Sequence, residues 1–327
     1  SPGGAQNGYQ GTLSGTNQML TNLQLLRFAV PLTYHIPLAN DIKGFSVAFS
    51  PILQYGTLDI AYNNGAYYQA PSVGNGGTVT FVPQNVMTGN GVSQDFGLGY
   101  NFGLAYEFSN LTLGVVYTSA IDMTYKNQIS SASKNFGLNR GAGFSDHLEQ
   151  PAEVGMGASY KIGESSTLAL DYKQIQWAGA KGYKDFKWQN QNVIALGYEY
   201  SAKKWALRTG INYAENPIVE QDGSNYDGAV INYFNAAGFP ATIKTHIAFG
   251  GTYNFTDTIG LDIAYVYAPQ VKETYDTSGL TKAQVFAGTQ AAGGSVPDAV
   301  NASSVSSSEA IVKHAQSSLS LAMTIKF

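Results

Sequence analysis

The segment from Phe96 to Phe108 alternates between two kinds of side chain along its whole length. Its even positions carry large apolar residues, whereas its odd positions carry glycine, alanine, asparagine or glutamate. Because successive side chains of a β-strand point to opposite faces, this alternation predicts a strand with one apolar face. A soluble sandwich buries such a face, and a membrane barrel turns it toward lipid. One strand is compatible with either structure.

The same alternation returns along the chain and predicts eleven strands. They are, in order, 22–36, 44–60, 96–108, 111–125, 148–162, 167–177, 188–200, 203–214, 242–255, 259–268 and 315–327. Pro31 lacks the N–H that a strand ladder needs, so it predicts a local irregularity in the first strand. By parity, apolar residues such as Leu98, Leu207 and Leu321 face lipid, and Gly97 and Asn101 face the lumen.

The predicted connections alternate strictly between short turns and long loops. The long ones are 61–93, 126–147, 178–187, 215–241 and 269–314, and residues 1–21 also have the composition of a loop. Outer-membrane barrels show this asymmetry, with short periplasmic turns and long extracellular loops. We therefore expect residues 1–327 to form one all-β domain, a transmembrane antiparallel up-and-down β-barrel in the outer membrane of a Gram-negative bacterium.

The final predicted strand ends on Phe327 and resembles the C-terminal signal by which such barrels are recognised for assembly. Barrel assembly machinery is therefore an expected partner, together with outer-membrane lipid and lipopolysaccharide. Eleven strands is an odd number, whereas bacterial single-chain barrels usually have an even number and periplasmic termini. If the last strand ends in the periplasm, Ser1 lies on the extracellular side, and further strands are expected upstream of it.

Composition narrows the possible functions. Charged residues make up only 12% of the chain, while tyrosine (22), phenylalanine (16) and glycine (37) are abundant, as in an outer-membrane barrel or a secreted adhesin. The absence of cysteine excludes disulfides and cysteine-based zinc sites, and the net charge of −4 argues against a nucleic-acid partner. The four histidines are scattered, so we expect neither catalysis nor a metal or other cofactor. A rim hydrolase assembled by folding is the alternative.

A specific resemblance appears near the middle of the chain. Trp205–Ile211 reads W-A-L-R-T-G-I and is followed by E-N-P-I at 215–218, which resembles the W-x-x-R-T-G-x strand and D/E-x-P segment of the long-chain fatty acid outer-membrane transporters (FadL-type). Segments 148–151 and 194–197 and the Phe96–Phe108 strand fall in matching order, so the resemblance covers most of residues 20–268 and the C-terminal strand. It implies 14 strands and an N-terminal hatch, with this chain holding the last eleven strands. Loop 269–314 is longer than in that family.

The resemblance implies passive uptake of long-chain fatty acids or similar hydrophobic molecules. Within the same fold, the alternatives are a transporter of monoaromatic hydrocarbons and a general diffusion porin. A structural or adhesive barrel is a further alternative from another functional class.

Apolar side chains in two long loops are candidates for ligand binding. They are Tyr67, Phe81, Met87, Phe136, Leu138 and Phe144. These side chains either form a core within the loops or, as the resemblance implies, line a groove that first captures a hydrophobic substrate. Three lumenal cations, Arg27, Lys173 and Arg208, are candidates for binding an anionic headgroup. The alternative interpretation is a salt-bridged wall, in which Lys173 pairs with Glu153 and Arg208 with Glu199.

Overall fold

The computed structural model describes residues 18–36, 42–63, 88–135, 138, 143–240 and 242–325, and its strands form one antiparallel sheet. The strand segments are β1 (Gln18–Ala29), β2 (Leu32–Ile36), β3 (Ile42–Asn63), β4 (Thr88–Gly89), β5 (Ser93–Phe108), β6 (Leu111–Thr118), β7 (Glu153–Ile162), β8 (Ser166–Ile175), β9 (Gln191–Ser201), β10 (Trp205–Ala214), β11 (Thr245–Asn254), β12 (Ile259–Asp276) and β13 (Glu309–Ile325). Four helices lie in the connections: α1 (Ile129–Asn135), α2 (Tyr226–Gly238), α3 (Ser278–Ala291) and α4 (Val296–Ser304).

The strands follow one another around the sheet in sequence order. The path is β1-β3-β5-β6-β7-β8-β9-β10-β11-β12-β13, which confirms the predicted eleven strands within the described part of the chain. β2 lies off the path because it continues β1 along β3 after a break at Val30 and Pro31, where the irregularity was expected. The short β4 likewise pairs with β3 just before β5 begins.

The outer face of the sheet is apolar and exposed. Leu98 is 77% exposed, Leu207 57% and Leu321 66%, so the face predicted to contact lipid is not buried in a protein core. Exposed aromatic side chains collect where the sheet meets the short turns, and they are Tyr160, Tyr200, Trp205, Tyr253 and Phe255. Rings at this level are typical of the aromatic girdle that a membrane barrel places at the lipid–water interface.

The predicted strand 111–125 is wrong beyond Thr118. There the Ser119 N–H donates to the Tyr100 carbonyl (2.9 Å), and the Ser119 hydroxyl oxygen accepts from the Tyr100 N–H (2.8 Å). The Ser119 hydroxyl thus accepts the hydrogen bond that a backbone carbonyl would accept if the strand continued. β6 ends here, and the chain turns toward the inner face of the sheet. The partner strand is shortened in the same way, since β7 begins at Glu153 rather than at residue 148.

The predicted loop 269–314 is also wrong at both ends. β12 continues to Asp276 and β13 begins at Glu309, and these two residues pair in register across the connection that contains α3 and α4. The apolar alternation fades here because a strand that extends beyond the hydrocarbon layer has no lipid to select apolar residues. Likewise β3 runs to Asn63, inside predicted loop 61–93, while residues 64–87 lie outside the described part.

The inner face of the sheet carries many glycines, of two kinds. A Cβ added to Gly97 would overlap the Ile121 side chain, and one added to Gly99 would lie 2.5 Å from Ile121 Cγ1. A Cβ added to Gly197 would meet nothing within 4 Å. The first kind allows another segment to lie against the wall, whereas the second kind leaves the lumen open.

This difference predicts opposite outcomes for two matched substitutions. Neither Gly97 nor Gly197 has a positive φ, so leucine is compatible with the backbone at both positions. Gly97→Leu should lower the free energy of unfolding by roughly 1–3 kcal/mol, because it forces the Ile121 segment away from the wall. Gly197→Leu should change it little. Urea unfolding in detergent micelles measures both, and equal losses would contradict the two-class interpretation.

Candidate functional site

The chain between β6 and β7 folds into the lumen as a two-stranded ribbon. Ile121 and Gln150 exchange backbone hydrogen bonds of 3.0 and 2.9 Å, and the Leu148 N–H donates to the Met123 carbonyl at 2.9 Å. We call residues 119–125 and 146–150 the inner ribbon. These bonds pair backbone groups of the two segments with each other, which allows the segments to leave the wall together.

One side of the inner ribbon is entirely buried. Ile121, Met123 and Tyr125 are each 0% exposed and lie over Gly56 and Gly97 on the inner face of β3 and β5. These three residues belong to the stretch predicted as a lipid-facing strand. Their alternation is real, but their apolar side faces the interior of the protein.

The inner ribbon is part of an apolar layer at the end of the sheet that carries the long connections. One cluster of buried side chains joins β3, the inner ribbon, the connection between β8 and β9, and α2. Aromatic rings dominate it, and they are Phe144, Trp177, Tyr183, Phe186, Trp188, Phe234 and Phe239. Typical centroid separations are 5.5 Å for Phe144–Phe186 and 5.1 Å for Phe186–Phe234. Because β3 and β8 are not neighbours in the sheet, the apolar layer bridges separate parts of the wall.

The apolar layer contains two of the predicted ligand-binding residues. Leu138 is 3% exposed, and Phe144 packs between Phe186 and Phe234. In this structure both side chains are therefore part of a core formed by the connections. The other predicted residues of these loops, Tyr67, Phe81, Met87 and Phe136, lie outside the described residues. A role for any of the six in ligand contact stays a prediction.

A cavity of about 630 Å³ lies against the inner face of β6–β10. Its lining includes the small residues Gly114, Gly155, Gly157, Ala169 and Ala195, and the polar residues Asp171, Lys173 and Asn212. The cavity is open because the side chains of these wall residues are small. The polar residues show that the cavity is not uniformly apolar.

Two of the three candidate cations form ion pairs. Lys173 Nζ lies 3.1 Å from Glu153 Oε2, as the diagonal register predicts. Arg208 Nε lies 2.6 Å from Glu199 Oε2, and the same guanidinium donates to the Thr252 hydroxyl. Both contacts match the predicted salt-bridged wall.

Arg27 has a different environment. Its Nε and Nη2 atoms donate to the Gln54 amide oxygen at 3.2 and 2.9 Å, so its partner among the described residues is neutral. Gln54 is 0% exposed, and its amide nitrogen has no hydrogen-bond partner in the described part of the chain. The buried Tyr125 hydroxyl, which lies over Gly56 two residues further along β3, is also without one. Burial, with a contribution from the Asp95 carboxylate, raises the pKa of Tyr125 to about 12, so this hydroxyl keeps its proton.

A charged cluster lies on the polar side of the inner ribbon. Asp122 accepts a hydrogen bond from Lys181 Nζ (2.5 Å), and His147 Nδ1 lies 2.8 Å from its other oxygen. Burial acts to raise the Asp122 pKa, but the hydrogen bonds from Lys181 and His147 outweigh it and hold the pKa below its usual value.

Sequence reasoning missed this cluster, and it missed Gln54 and Tyr125. Asp122 lies within the predicted wall strand 111–125, and that interpretation gave no reason to place it beside Lys181 and His147. The one local signal was the small polar Ser119 after the apolar run of β6, and that signal is weak.

Within the described residues, no group of three or more histidine, aspartate or glutamate side chains could hold a metal ion. No helix in the same part of the chain is long and apolar enough to cross a membrane.

The chain is similar to a set of outer-membrane proteins. A family model described as outer membrane protein transport protein (OMPP1/FadL/TodX) matches residues 2–303. Outer membrane protein P1 of Haemophilus influenzae is 23% identical over 186 residues, which cover 53% of this chain and 38% of that protein. The matched region therefore spans about two fifths of this curated relative.

One solved structure shows the same fold, and a second is similar to this chain. A Pseudomonas aeruginosa FadL homologue matches with a TM-score of 0.55 and 15% identity, over 93% of this chain and 68% of that one. The toluene transporter TodX of P. putida matches with a TM-score of 0.49 and 14% identity, over 94% and 70%. Since the family model covers nearly the whole chain, the chain belongs to the OMPP1/FadL/TodX family and lies in the outer membrane of a Gram-negative bacterium.

Proposed function

We propose that this protein takes up hydrophobic molecules passively through the outer membrane, with long-chain fatty acids as the principal substrates. The observation that carries the proposal is the apolar layer, which lies at the long-connection end of a lumen walled by small residues. A barrel that admits only polar solutes does not require a layer of buried aromatic rings at the end that carries the long connections. Family membership supports the same conclusion.

The proposed pathway begins at the long connections. Burying an acyl chain is worth roughly 0.8 kcal/mol per methylene, so the apolar side chains of these connections could hold a fatty acid outside the membrane. The chain would then pass the apolar layer and reach the lumenal cavity. That cavity, at about 630 Å³, falls within the range of roughly 300–1,000 Å³ typical of small-molecule sites.

Arg27 is the best candidate to bind a carboxylate along this route. A guanidinium matches a carboxylate with two parallel hydrogen bonds, and Arg27 has no carboxylate partner among the described residues. The Gln54 amide nitrogen and Tyr125 hydroxyl lie near the same part of β3 and have no partner among the described residues, but both are fully buried. Lys173 and Arg208 are weaker candidates, because each already neutralises a glutamate.

A monoaromatic hydrocarbon is the second candidate substrate, since the apolar layer would accept it equally well. It has no carboxylate, so its passage should not depend on Arg27.

Substituting Arg27 distinguishes the two substrate classes. A hydrogen bond to a charged group contributes about 1.5–3 kcal/mol, so Arg27→Gln should reduce oleate uptake roughly tenfold or more and leave toluene uptake unchanged. The matched control is Arg208→Gln, an arginine on the same inner face whose charge is already paired. It should affect both substrates alike, because its role is in the wall. Equal losses of oleate and toluene uptake in Arg27→Gln would show that Arg27 too is structural.

Ion conductance tests the porin alternative. In planar bilayers, the wild-type protein should give a small steady current in potassium chloride, because the apolar layer obstructs the path of hydrated ions. A large constant conductance, with no saturable binding of radiolabelled oleate, would favour a diffusion porin. Absence of both conductance and oleate binding would favour an adhesive or structural barrel.

A further inference from the structure

A molecule that moves from the long connections to the lumenal cavity has to cross the apolar layer. Among the described residues the layer is packed, and Phe144, two residues before the second segment of the inner ribbon, contacts Phe186 of the connection 176–190. Passage therefore needs one boundary within the layer to open. The hydrogen bonds on the two sides of the inner ribbon indicate which boundary that is.

The inner ribbon is firmly joined to the wall behind it. It continues β6 and β7, and it rests on the glycines of β3 and β5. The Thr124 N–H donates to the Asp95 carboxylate (2.7 Å), and the Ile60 N–H donates to the Gln128 side chain (2.8 Å) just beyond the ribbon. With the Ser119–Tyr100 bonds at its base, the ribbon is held to this wall along its length.

Apolar packing and hydrogen bonds hold the opposite boundary, and among the described residues those hydrogen bonds come from one residue. Lys181, in the connection 176–190 between β8 and β9, makes three hydrogen bonds to the inner ribbon. Its N–H donates to Glu149 Oε2 (2.9 Å), its carbonyl accepts from the Glu149 N–H (3.0 Å), and its Nζ donates to Asp122 Oδ2 (2.5 Å). The side chains of Lys181 and Asp122 are 46% and 35% exposed, and ion pairs of this exposure are weakly stabilising and reversible.

This boundary also lies in the right place. The inner ribbon rises from β6 and β7, the connection 176–190 rises from β8 and β9, and the inner faces of these strands line the cavity. Separating the connection from the ribbon would therefore open the apolar layer next to the cavity wall. Separating the ribbon from β3 and β5 would open it on another side of the lumen.

We propose that the connection 176–190 is a gate that swings away from the fixed inner ribbon, and that the Lys181–Asp122 ion pair is its latch. The gate rests on the proposed function, because it is the step at which a hydrophobic molecule enters the lumen. Lys181 is a positioning residue: it holds the closed state and does not bind the substrate. His147 and Glu149 face the same latch, and they keep Asp122 and the Lys181 backbone in place.

A double-mutant cycle tests the latch through ion conductance. Lys181→Met and Asp122→Asn should each raise the open fraction in potassium chloride by roughly two- to fivefold, the change expected for the loss of one half-exposed ion pair. The double variant should exceed neither single variant by much, because both remove the same contact. The control is Lys184→Met, which removes an exposed lysine of the same connection and should leave the current unchanged. Single variants that match the wild type, or effects that multiply in the double variant, would overturn the proposal.

A reversible crosslink tests whether the gate must move. The chain has no cysteine, so Glu149→Cys/Lys181→Cys introduces the only two thiols. Joining them with a bifunctional methanethiosulfonate should reduce oleate uptake to background, and dithiothreitol should restore it. The single variant Lys181→Cys, treated alike, should keep its uptake. Normal uptake by the crosslinked protein would overturn the gate.

Heat-modifiable migration on gels confirms that each variant is folded. The two proposals fail in different ways. If the wild-type protein takes up no oleate, the proposed substrate is wrong, while the conductance cycle still decides whether Lys181 and Asp122 form a latch. If oleate uptake is normal and the crosslink has no effect, the substrate stands and the gate is wrong.

Discussion

Backbone hydrogen bonding in hydrocarbon is the constraint on which this architecture depends. An unpaired N–H or C=O group in lipid costs several kcal/mol, so a wall strand needs neighbours on both sides wherever it faces the membrane. The continuous antiparallel order meets this requirement for the described strands that lie between β1 and β13, the two ends of the path. Where β6 and β7 leave the wall, they leave together, and the inner ribbon retains backbone pairing between them. A single strand that turned inward would leave its backbone N–H and C=O groups without partners.

The size of inward side chains then decides where the interior is filled. Over Gly97 and Gly99 the wall is flat enough for Ile121 and Met123 to lie directly on the backbone. Around Gly197 nothing lies close, and the glycines and alanines of β6–β10 border a cavity instead. The same residue type thus supports a packed core on one side of the lumen and open space on the other. What distinguishes the two sides is the presence of the inner ribbon.

Charge pairing sorts the polar groups of the interior in a similar way. Glutamates on neighbouring strands neutralise Lys173 and Arg208, so these cations stabilise the wall. Lys181 joins two connections rather than two strands, and its half-exposed ion pair suits a contact that has to break and reform. Arg27 has an amide as its described partner, so no carboxylate among the described residues neutralises its charge.

The sequence determined the barrel. Alternation along strands such as 96–108, the break at Pro31, the unequal connections and the motif at Trp205–Ile211 were sufficient to predict eleven antiparallel strands, an outer-membrane location and the family. These features are local, because strand alternation and the apolar character of a lipid-facing surface depend only on residues that are close together in the sequence. The ion pairs Lys173–Glu153 and Arg208–Glu199 were predictable as well, because strand register fixes which inward residues are neighbours.

The tertiary structure decided what fills the barrel. Ile121, Met123 and Tyr125 continue the alternation of β6, yet they are buried on the inner wall. Alternation indicates that a segment has an apolar and a polar face, but it does not indicate whether the segment lies in the wall or inside the lumen. Phe144, Phe186 and Lys181 meet their partners across connections far apart in the sequence, and no local pattern encodes such contacts. The candidate pathway was therefore hidden from the sequence, because packing between distant segments, rather than periodicity, determines where the lumen is closed.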